Sequence, residues 1–231
     1  VVKFDFQQPK RSGDDVVSLQ GVHKAYGDLV LYEGFDFLIR RQERWCVMGV
    51  NGAGKSTLLR LVAGMAEPDR GEVRVGAGVK LGYFAQHAME LLQQDGKVLQ
   101  TMERTHPKAS GGSLRTVLGA FGFHKDDVEK TCRILSGGEK ARVALAAFVL
   151  RPRNVLLLDE PSNHLDIGAV QALTDGLQGW DGALLAVSHN KEFCESLNPT
   201  HIIRVRGGKM TMENCYGLTA EDFDHEVVAG D

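Results

Sequence analysis

The sequence predicts an α/β protein with a mainly parallel core sheet, and three observations lead to that prediction. Residues 155–158 are four consecutive aliphatic residues without polar alternation, which is typical of a strand covered on both faces. A helix-like stretch at residues 166–177 and a second apolar strand pattern at residues 183–188 follow it, so the order strand, helix, strand indicates a right-handed crossover. The third observation is a glycine-rich segment, residues 49–56, between a short apolar run and another helix-like stretch.

Composition limits the possible classes of protein. A chain of 231 residues is long enough for one domain with a substantial core. The net charge of −3 gives no whole-chain signature of nucleic-acid binding, although a local basic patch stays possible. The longest apolar run, residues 143–150, is far too short to cross a membrane, and no signal peptide is visible. The four cysteines form no C-x-x-C motif, so we expect buried, reduced thiols and a cytoplasmic protein.

The first part of the chain is expected to form an antiparallel β lobe. Residues 16–22 alternate apolar and polar side chains, and residues 31–39 form a second strand pattern. Residues 72–75 and 79–85 predict a further short strand pair in the same lobe. Residues 1–13 are interpreted as a linker remnant, and because the chain does not begin with methionine we expect a piece of a longer protein.

Residues 87–150 are expected to form a small helical lobe within a single domain that spans residues 14–231. Apolar residues recur there at helical spacing, interrupted by a polar break that contains glycine and proline. The last helix of this lobe begins at Ser136, and Pro152 ends it. The other predicted elements are helices at residues 88–94, 98–104, 114–121 and 125–131, a hairpin around residues 207–208, and an amphipathic segment at residues 220–228.

The glycine-rich segment matches G-x-x-x-x-G-K-[ST], the pattern of a phosphate-binding loop. Its glycines let the backbone turn tightly and bring N–H groups close to phosphate oxygens. Lys55 adds a positive charge toward the β- and γ-phosphates, and the Ser56 hydroxyl is available to Mg²⁺. The helix that begins near Gly54 would direct its N-terminal dipole at the anion. The alternative is a glycine-rich turn that matches by chance, which the flanking strand and helix disfavour.

Polar residues follow two of the predicted strands at the sheet edge where ligands bind. Asp159 would hold Mg²⁺ through water, and Glu160 is placed to polarise an attacking water. Alternatively, the two acids cap the structure that follows the strand. His189 would bond the γ-phosphate or the attacking water, or would simply face solvent. Gln86 would bind Mg²⁺ or water from the border of the helical lobe, again with a purely structural alternative.

Two further segments have the chemistry to contact a nucleotide. Tyr26 would stack on adenine, or it would fill the core beneath a turn. Ser136, Gly137 and Gly138 resemble a second anion cradle at a helix start, where backbone N–H groups are free to donate. A glycine-rich helix cap without a ligand is the alternative for these three residues.

Taken together, these motifs resemble an ABC-type nucleotide-binding domain. That resemblance implies a P-loop NTPase fold with a mainly parallel core sheet, an antiparallel β lobe and a small helical lobe. It covers residues 16–210, nearly the whole chain. Residues 49–56 are similar to Walker A, Gln86 to the Q-loop, and residues 135–139 to the signature motif. Residues 158–161 are similar to Walker B, Asp166 to the D-loop, and His189 to the H-loop.

The resemblance implies ATP and Mg²⁺ as cofactors and a second ABC domain as partner. Two such domains would form a head-to-tail sandwich, so one chain supplies two half-sites and is nearly inactive as a monomer. Glu160 would be the general base, His189 and Gln86 would position water and the γ-phosphate, and Asp166 would face the partner domain. The implied nucleotide contacts are Tyr26, Gly49, Asn51, Gly52, Ala53, Gly54, Lys55, Ser56, Thr57, Ser136, Gly137, Gly138 and Asp166, and the implied Mg²⁺ ligands are Ser56, Gln86 and Asp159.

Residues 160–166, Glu-Pro-Ser-Asn-His-Leu-Asp, are similar to the corresponding segment of ABC-F proteins. Glu139 points the same way, since transporter subunits usually have Gln there. Residues 4–9 look like the segment after the interdomain linker of ABC-F chains, and the stretch from Gln86 to Ser136 leaves no room for an inserted arm. The resemblance thus implies the second domain of an ABC-F protein. The mild departures, which leave fine subfamily placement open, are Ser162, Asn190 and Lys191.

Three functions follow as hypotheses. The first is the ATPase half of an ABC-F factor for translation or ribosome protection, which would contact rRNA electrostatically. The second is the energy subunit of a membrane transporter, with a coupling helix beside Gln86. The third is a nucleotide-gated binding module with little turnover, against which Glu160 and His189 argue. Two basic clusters would contact rRNA or be solvated: Arg40, Arg41 and Arg44, and Arg204, Arg206 and Lys209.

Overall fold

The computed structural model describes residues 4, 6–50, 54–90, 92, 95–206 and 209–215. None of the helices in these ranges has the length and apolar character needed to cross a membrane. The strands are β1 (Asp15–Tyr26), β2 (Leu29–Arg40), β3 (Arg44–Gly49), β4 (Arg70–Val75), β5 (Leu81–Phe84), β6 (Val155–Asp159), β7 (Ala183–Val187), β8 (His201–Arg206) and β9 (Lys209–Asn214). The α-helices are α1 (Lys55–Val62), α2 (Val98–Thr105), α3 (Gly111–Ala120), α4 (Gly137–Val149), α5 (Ile167–Gln178) and α6 (Lys191–Ser196).

The chain divides into two compact units. The strand-rich unit contains Lys10–Tyr83, Asn154–Glu160 and the described residues of Asp181–Asp231. The helical unit contains Phe84–Arg153, Pro161–Trp180 and the described residues of Val1–Pro9.

Two sheets build the strand-rich unit. The first has the order β2-β1-β4, and its strand pairs are antiparallel. The second has the order β5-β6-β7-β3-β8-β9, in which β6, β7, β3 and β8 run parallel and β9 pairs with β8 as a hairpin. Aliphatic side chains from both sheets and from α1 form one core cluster, which includes Val16, Leu19, Ile39, Val47, Leu58, Val155 and Leu157. The predicted α/β class with a mainly parallel core sheet is therefore confirmed.

The placement of the strand predicted at residues 79–85 was wrong. It was expected in the antiparallel lobe with β4, but β4 pairs with β1 while β5 lies next to β6 in the six-stranded sheet. Asn154 gives the physical reason, because it stands just before β6 and binds Lys80 just before β5. The Asn154 side-chain oxygen accepts from the Lys80 amide at 2.6 Å, and the Asn154 amide donates to the Lys80 carbonyl at 3.0 Å.

In the helical unit, α2, α3, α4 and α5 confirm four of the helix predictions, but residues 125–131 differ. They form a short 3₁₀ helix, Lys125–Glu129, rather than an α-helix. Lys125 has a φ of 45°, outside the right-handed helical region, so a regular helix cannot begin there. The described residues of the first predicted segment, 88–90 and 92, include only the end of the 3₁₀ helix Gln86–Met89. Parts of residues 88–94, the turn at residues 207–208 and the segment 220–228 lie outside the described residues.

The cysteines have free thiols, and one of them is less buried than expected. Cys46, Cys132 and Cys194 are buried, whereas Cys215 is only partly buried after β9.

The beginning of the chain packs against the helical unit. Phe4 and Phe6 are buried, with the Phe4 ring 5.1 Å from Phe121 and the Phe6 ring 6.0 Å from Trp180. Gly176 on α5 makes this approach possible, since a Cβ there would lie 2.7 Å from the Phe4 ring. Residues 4 and 6 thus belong to an aromatic cluster of the helical unit.

Phe6→Ala is expected to lower the free energy of unfolding by about 3 kcal/mol, because it removes a buried ring and leaves a cavity. Urea unfolding followed by the intrinsic fluorescence of Trp45 and Trp180 measures this change. Gln7→Ala is the matched control, since Gln7 is the exposed neighbour and its loss should change stability by less than about 0.5 kcal/mol. Equal stability of the two variants would contradict a structural role for Phe6.

Candidate functional site

The glycine-rich segment lies between β3 and α1, as predicted. Gly49 ends β3 with a φ of 154°, and a Cβ there would lie 2.7 Å from the Val205 carbonyl oxygen. Gly54 has a φ of 96° and precedes α1 without a side-chain capping bond. Both positions therefore favour glycine, one through close backbone approach and one through a left-handed conformation. Three predicted phosphate contacts lie outside the described residues: Asn51, Gly52 and Ala53.

Lys55 is the buried cation of this segment. The residue is only 8% exposed, and its ammonium donates to the Gly49 carbonyl oxygen. Burial lowers the pKa of Lys55, while the negative charges of Glu160 and Asp159 oppose that shift. An incoming phosphate would add further negative charge beside Lys55, so the geometry suits an anion.

Tyr32 and Thr57 support the start of α1. The Tyr32 hydroxyl donates to the Gly54 carbonyl oxygen, and burial raises the pKa of Tyr32 well above its usual value. Thr57 is buried in the first turn. Tyr32 was not predicted from the sequence, because nothing in the alternation of β2 distinguishes a tyrosine that reaches the loop from one that fills the core.

Asp159, at the carboxyl end of β6, has a hydrogen-bond donor on each carboxylate oxygen. The Ser56 hydroxyl donates to Oδ1 at 3.0 Å, and the Tyr83 hydroxyl donates to Oδ2 at 3.1 Å. Burial and the Asp159 charge raise the pKa of Tyr83, and the Arg60 guanidinium opposes the rise. Tyr83 was also missed from the sequence, because its proximity to Asp159 depends on the neighbouring position of β5 and β6.

The Ser56–Asp159 pair has the donor set of a magnesium site. Both side chains offer oxygen, and Mg²⁺ in nucleotide sites takes one or two protein oxygens and fills its shell with water and phosphate. Within the described ranges no group of three or more His, Cys, Asp or Glu side chains is placed to hold a metal.

Glu160 and His189 are in direct contact. The His189 amide donates to Glu160 Oε2 at 3.1 Å, and His189 Nε2 lies 2.9 Å from Oε1. Glu160 has a φ of 48°, a conformation that non-glycine residues rarely adopt and that often marks a functional site. Its amide donates to the Val187 carbonyl at 2.8 Å, which fixes this turn. Burial raises the pKa of Glu160, opposed by the His189 amide and by Lys55.

The loop that carries His189 is held by its neighbours. The Asn190 side chain accepts from the Phe193 amide at 2.8 Å and caps α6, and the Asn190 amide donates to the Ser188 hydroxyl at 3.1 Å. The Cys194 thiol donates to the Ser188 carbonyl at 3.7 Å. Asn190, noted above as a departure from the family pattern, thus supplies the helix cap that an aspartate would also supply.

Tyr26 lies at the end of β1 and is 49% exposed, so it does not fill the core. The Lys24 ammonium lies 4.9 Å from the centre of its ring. Lys24 is itself held by the Glu67 carbonyl at 2.9 Å and by Asp69 at 3.4 Å. A cation over an aromatic face is a stabilising contact, and the half-exposed Tyr26 is accessible to a ligand.

The remaining predicted residues belong to the helical unit. Ser136 caps α4 in a reciprocal arrangement, since its hydroxyl accepts from the Glu139 amide at 3.2 Å and the Glu139 side chain accepts from the Ser136 amide at 2.8 Å. A Cβ at Gly137 or Gly138 would meet no atom within 4 Å. Packing within the described part of the chain therefore does not explain these two glycines.

Asp166 and Gln86 complete the predicted set. Asp166 caps α5 by accepting from the Ala169 amide at 2.9 Å, and its other oxygen lies 3.6 Å from Arg142 Nε. Gln86 begins a short 3₁₀ helix, and its side chain lies outside what the structure describes. The structure therefore brings together Lys55, Ser56, Asp159, Glu160 and His189 in the strand-rich unit.

Comparison with known proteins identifies the family. A family model described as "ABC transporter" matches residues 32–163. The chain is 42% identical over 194 residues to "Probable ATP-binding protein YheS" of Escherichia coli strain K12, which is 84% of this chain and 30% of that protein. It is 35% identical over 208 residues to "ABC transporter F family member 5" of Arabidopsis thaliana, or 90% of this chain and 30% of that protein. The chain thus spans 30% of the length of these relatives.

Solved structures share the fold at lower identity. A bacterial Atm1-family ABC exporter with ATP bound superposes with a TM-score of 0.76 at 20% identity, covering 96% of this chain and 44% of that one. An ATP-binding subunit of an ABC transporter gives a TM-score of 0.71 at 20% identity, covering 86% of this chain and 90% of that one. Because the family model matches more than half of the chain and the relatives include ABC-F proteins, the chain belongs to the ABC family as an ATP-binding domain of the ABC-F type.

Proposed function

We propose that this domain binds and hydrolyses Mg²⁺-ATP as one half of a two-domain nucleotide sandwich in a cytoplasmic ABC-F protein that acts on the ribosome. The observation that carries the proposal is the contact between Glu160 and His189 beside Lys55. A carboxylate with a raised pKa, oriented by a histidine and next to a phosphate-binding lysine, is suited to activate water for phosphoryl transfer.

The residues of the strand-rich unit would have separate roles in binding and hydrolysing ATP. Lys55 would neutralise the phosphates, and Ser56 with Asp159 would hold Mg²⁺. When bound, Mg²⁺ would supply positive charge that neutralises the phosphates. Glu160 would accept the proton of the attacking water, and its raised pKa brings it closer to the operating pH, where general bases are most efficient.

The helical unit would serve the partner's nucleotide. Gly137 and Gly138 leave open space at the start of α4, where backbone N–H groups can bind a phosphate of an ATP held by the other domain. Asp166 has a side chain that is 59% exposed, so its unused acceptor capacity is open to a partner domain. These features support the half-site arrangement that the resemblance implies.

The ribosome role rests on the ABC-F resemblance, and the basic clusters give it limited support. Arg40 lies 3.8 Å from Asp15, and Arg41 lies 3.5 Å from Asp14, so both charges are partly neutralised within the chain. Arg204 forms an ion pair with Glu213. Arg44 donates to the Leu197 carbonyl, Lys209 is exposed, and the Arg206 side chain lies outside the described residues.

Ribosome cosedimentation tests the biological role. The full-length protein with Glu160→Gln should pellet with ribosomes in ATP and not without it, because blocked hydrolysis traps the closed sandwich. Lys209→Met in that background should weaken pelleting most at low salt if the hairpin contacts rRNA. Closure upon ATP binding without ribosomes in the pellet would contradict the ribosome role and favour a transporter subunit.

A further inference from the structure

We infer that Tyr83 is a positioning residue for Asp159 and that its hydroxyl sets the orientation in which Asp159 and Ser56 receive the divalent cation. The inference rests on the proposed function, which assigns Mg²⁺ to Ser56 and Asp159. It adds a residue from outside the recognised nucleotide-binding motifs to the metal-binding machinery of this domain.

The two hydroxyl groups hold opposite sides of one carboxylate. Ser56 donates to Oδ1 at 3.0 Å, and Tyr83 donates to Oδ2 at 3.1 Å. The terminal torsion of an aspartate side chain has a broad and roughly two-fold profile, so a single donor leaves the carboxylate plane poorly defined. Two donors on different oxygens fix the orientation of the carboxylate plane.

This arrangement also orients the Ser56 hydroxyl. Because the Ser56 hydroxyl proton points at Oδ1, the lone pairs of the Ser56 oxygen point away from Asp159 and can coordinate a cation. If the carboxylate rotates, the Ser56 proton follows it and the lone pairs leave the direction of the cation. Tyr83 therefore acts on the cation through Asp159 and Ser56, without contacting it.

The position of β5 explains how Tyr83 reaches this place. β5 lies beside β6 in the sheet, and Tyr83 is its third residue while Asp159 is the last residue of β6. Tyr83 is half-buried, and its aromatic ring is rigid in comparison with a long polar side chain. A tyrosine can thus hold the carboxylate from the neighbouring strand with little loss of side-chain entropy.

The test uses Mn²⁺ as a paramagnetic probe and Tyr83→Phe, which removes only the hydroxyl. The 231-residue chain is kept in excess over a non-hydrolysable ATP analogue, and free Mn²⁺ is followed by electron paramagnetic resonance. The Mn²⁺ affinity should fall by about tenfold, the effect of losing one hydrogen bond to a charged group. In EDTA, the affinity for the analogue should stay within about twofold of the parent. The urea midpoint of the protein without ligand should stay within about 0.3 M of the parent.

Two reference variants make the result decisive. Thr200→Val removes an exposed hydroxyl that donates to the Arg44 carbonyl at the opposite end of β3, and it should leave the Mn²⁺ affinity unchanged. Asp159→Asn should lower the Mn²⁺ affinity at least as much as Tyr83→Phe does.

Each outcome has a distinct meaning. Unchanged Mn²⁺ affinity in Tyr83→Phe, with a loss in Asp159→Asn, would overturn the role of Tyr83 and leave the proposed function standing. Unchanged affinity in Asp159→Asn would overturn the metal assignment itself. A parallel fall in EDTA affinity and in stability for Tyr83→Phe would show a merely structural bond and would also overturn the inference.

Discussion

Glu160→Gln should lower the ATP hydrolysis rate by about 10²–10⁴-fold while ATP still binds, because the amide keeps the shape of the carboxylate but cannot accept the proton of water. The His189 amide can still donate to the amide oxygen that replaces Oε2, so the loop geometry is expected to persist. The rate is measured in the full-length protein with the other site already inactivated, so that turnover reports only on the site containing Glu160.

Glu192→Gln is the matched control for this experiment. Glu192 is an exposed glutamate in the first turn of α6, three residues beyond His189, and its replacement should leave the rate within about twofold. A rate for Glu160→Gln that equals the control rate would rule out Glu160 as the general base and favour a binding module with little turnover. Loss of ATP binding in Glu160→Gln would instead indicate a collapsed site.

Lys55→Met should weaken ATP binding by about 100-fold or more, because it leaves phosphate charges in a partly desolvated place without their cation. The expected cost is large because Lys55 is buried and needs no ordering to meet the phosphates. Equilibrium binding of a fluorescent ATP analogue to the 231-residue chain measures the change.

Lys209→Met controls for the loss of one positive charge. Lys209 lies exposed at the start of β9, and solvent and salt screen its charge. Its replacement should change the affinity by less than about twofold. Equal losses in the two variants would mean that the affinity depends on the overall charge of the chain, which is already −3, and not on a localised phosphate site.

Strong local patterns made much of the fold predictable. The aliphatic run at residues 155–158 and the glycine-rich loop each have one dominant explanation, so β6 and the entry to α1 were located from the sequence. The sheet of β5 was predicted wrongly because the sequence of a short strand does not indicate which strands lie beside it. The hydrogen bonds between Asn154 and residue 80 place β5 beside β6. Residues 125–131 have helical spacing, but the positive φ of Lys125 prevents a regular α-helix from beginning there, and a 3₁₀ helix forms.

The candidate site shows the same division between motif residues and supporting residues. Lys55, Ser56, Asp159 and Glu160 were found because their chemistry depends on fixed spacing in the chain. Tyr32 and Tyr83 were missed because each acts through a strand neighbour that is distant in sequence. Supporting residues of this kind can be identified only when the strand order is known.

The burial of Phe4 and Phe6 has a practical consequence for the choice of expression boundaries. A fragment that starts at residue 14 would lack both rings and would leave the surfaces of Phe121 and Trp180 uncovered. Newly exposed aromatic surface promotes self-association. Such a fragment is expected to be lost to aggregation during purification, even though every nucleotide-binding motif remains in it.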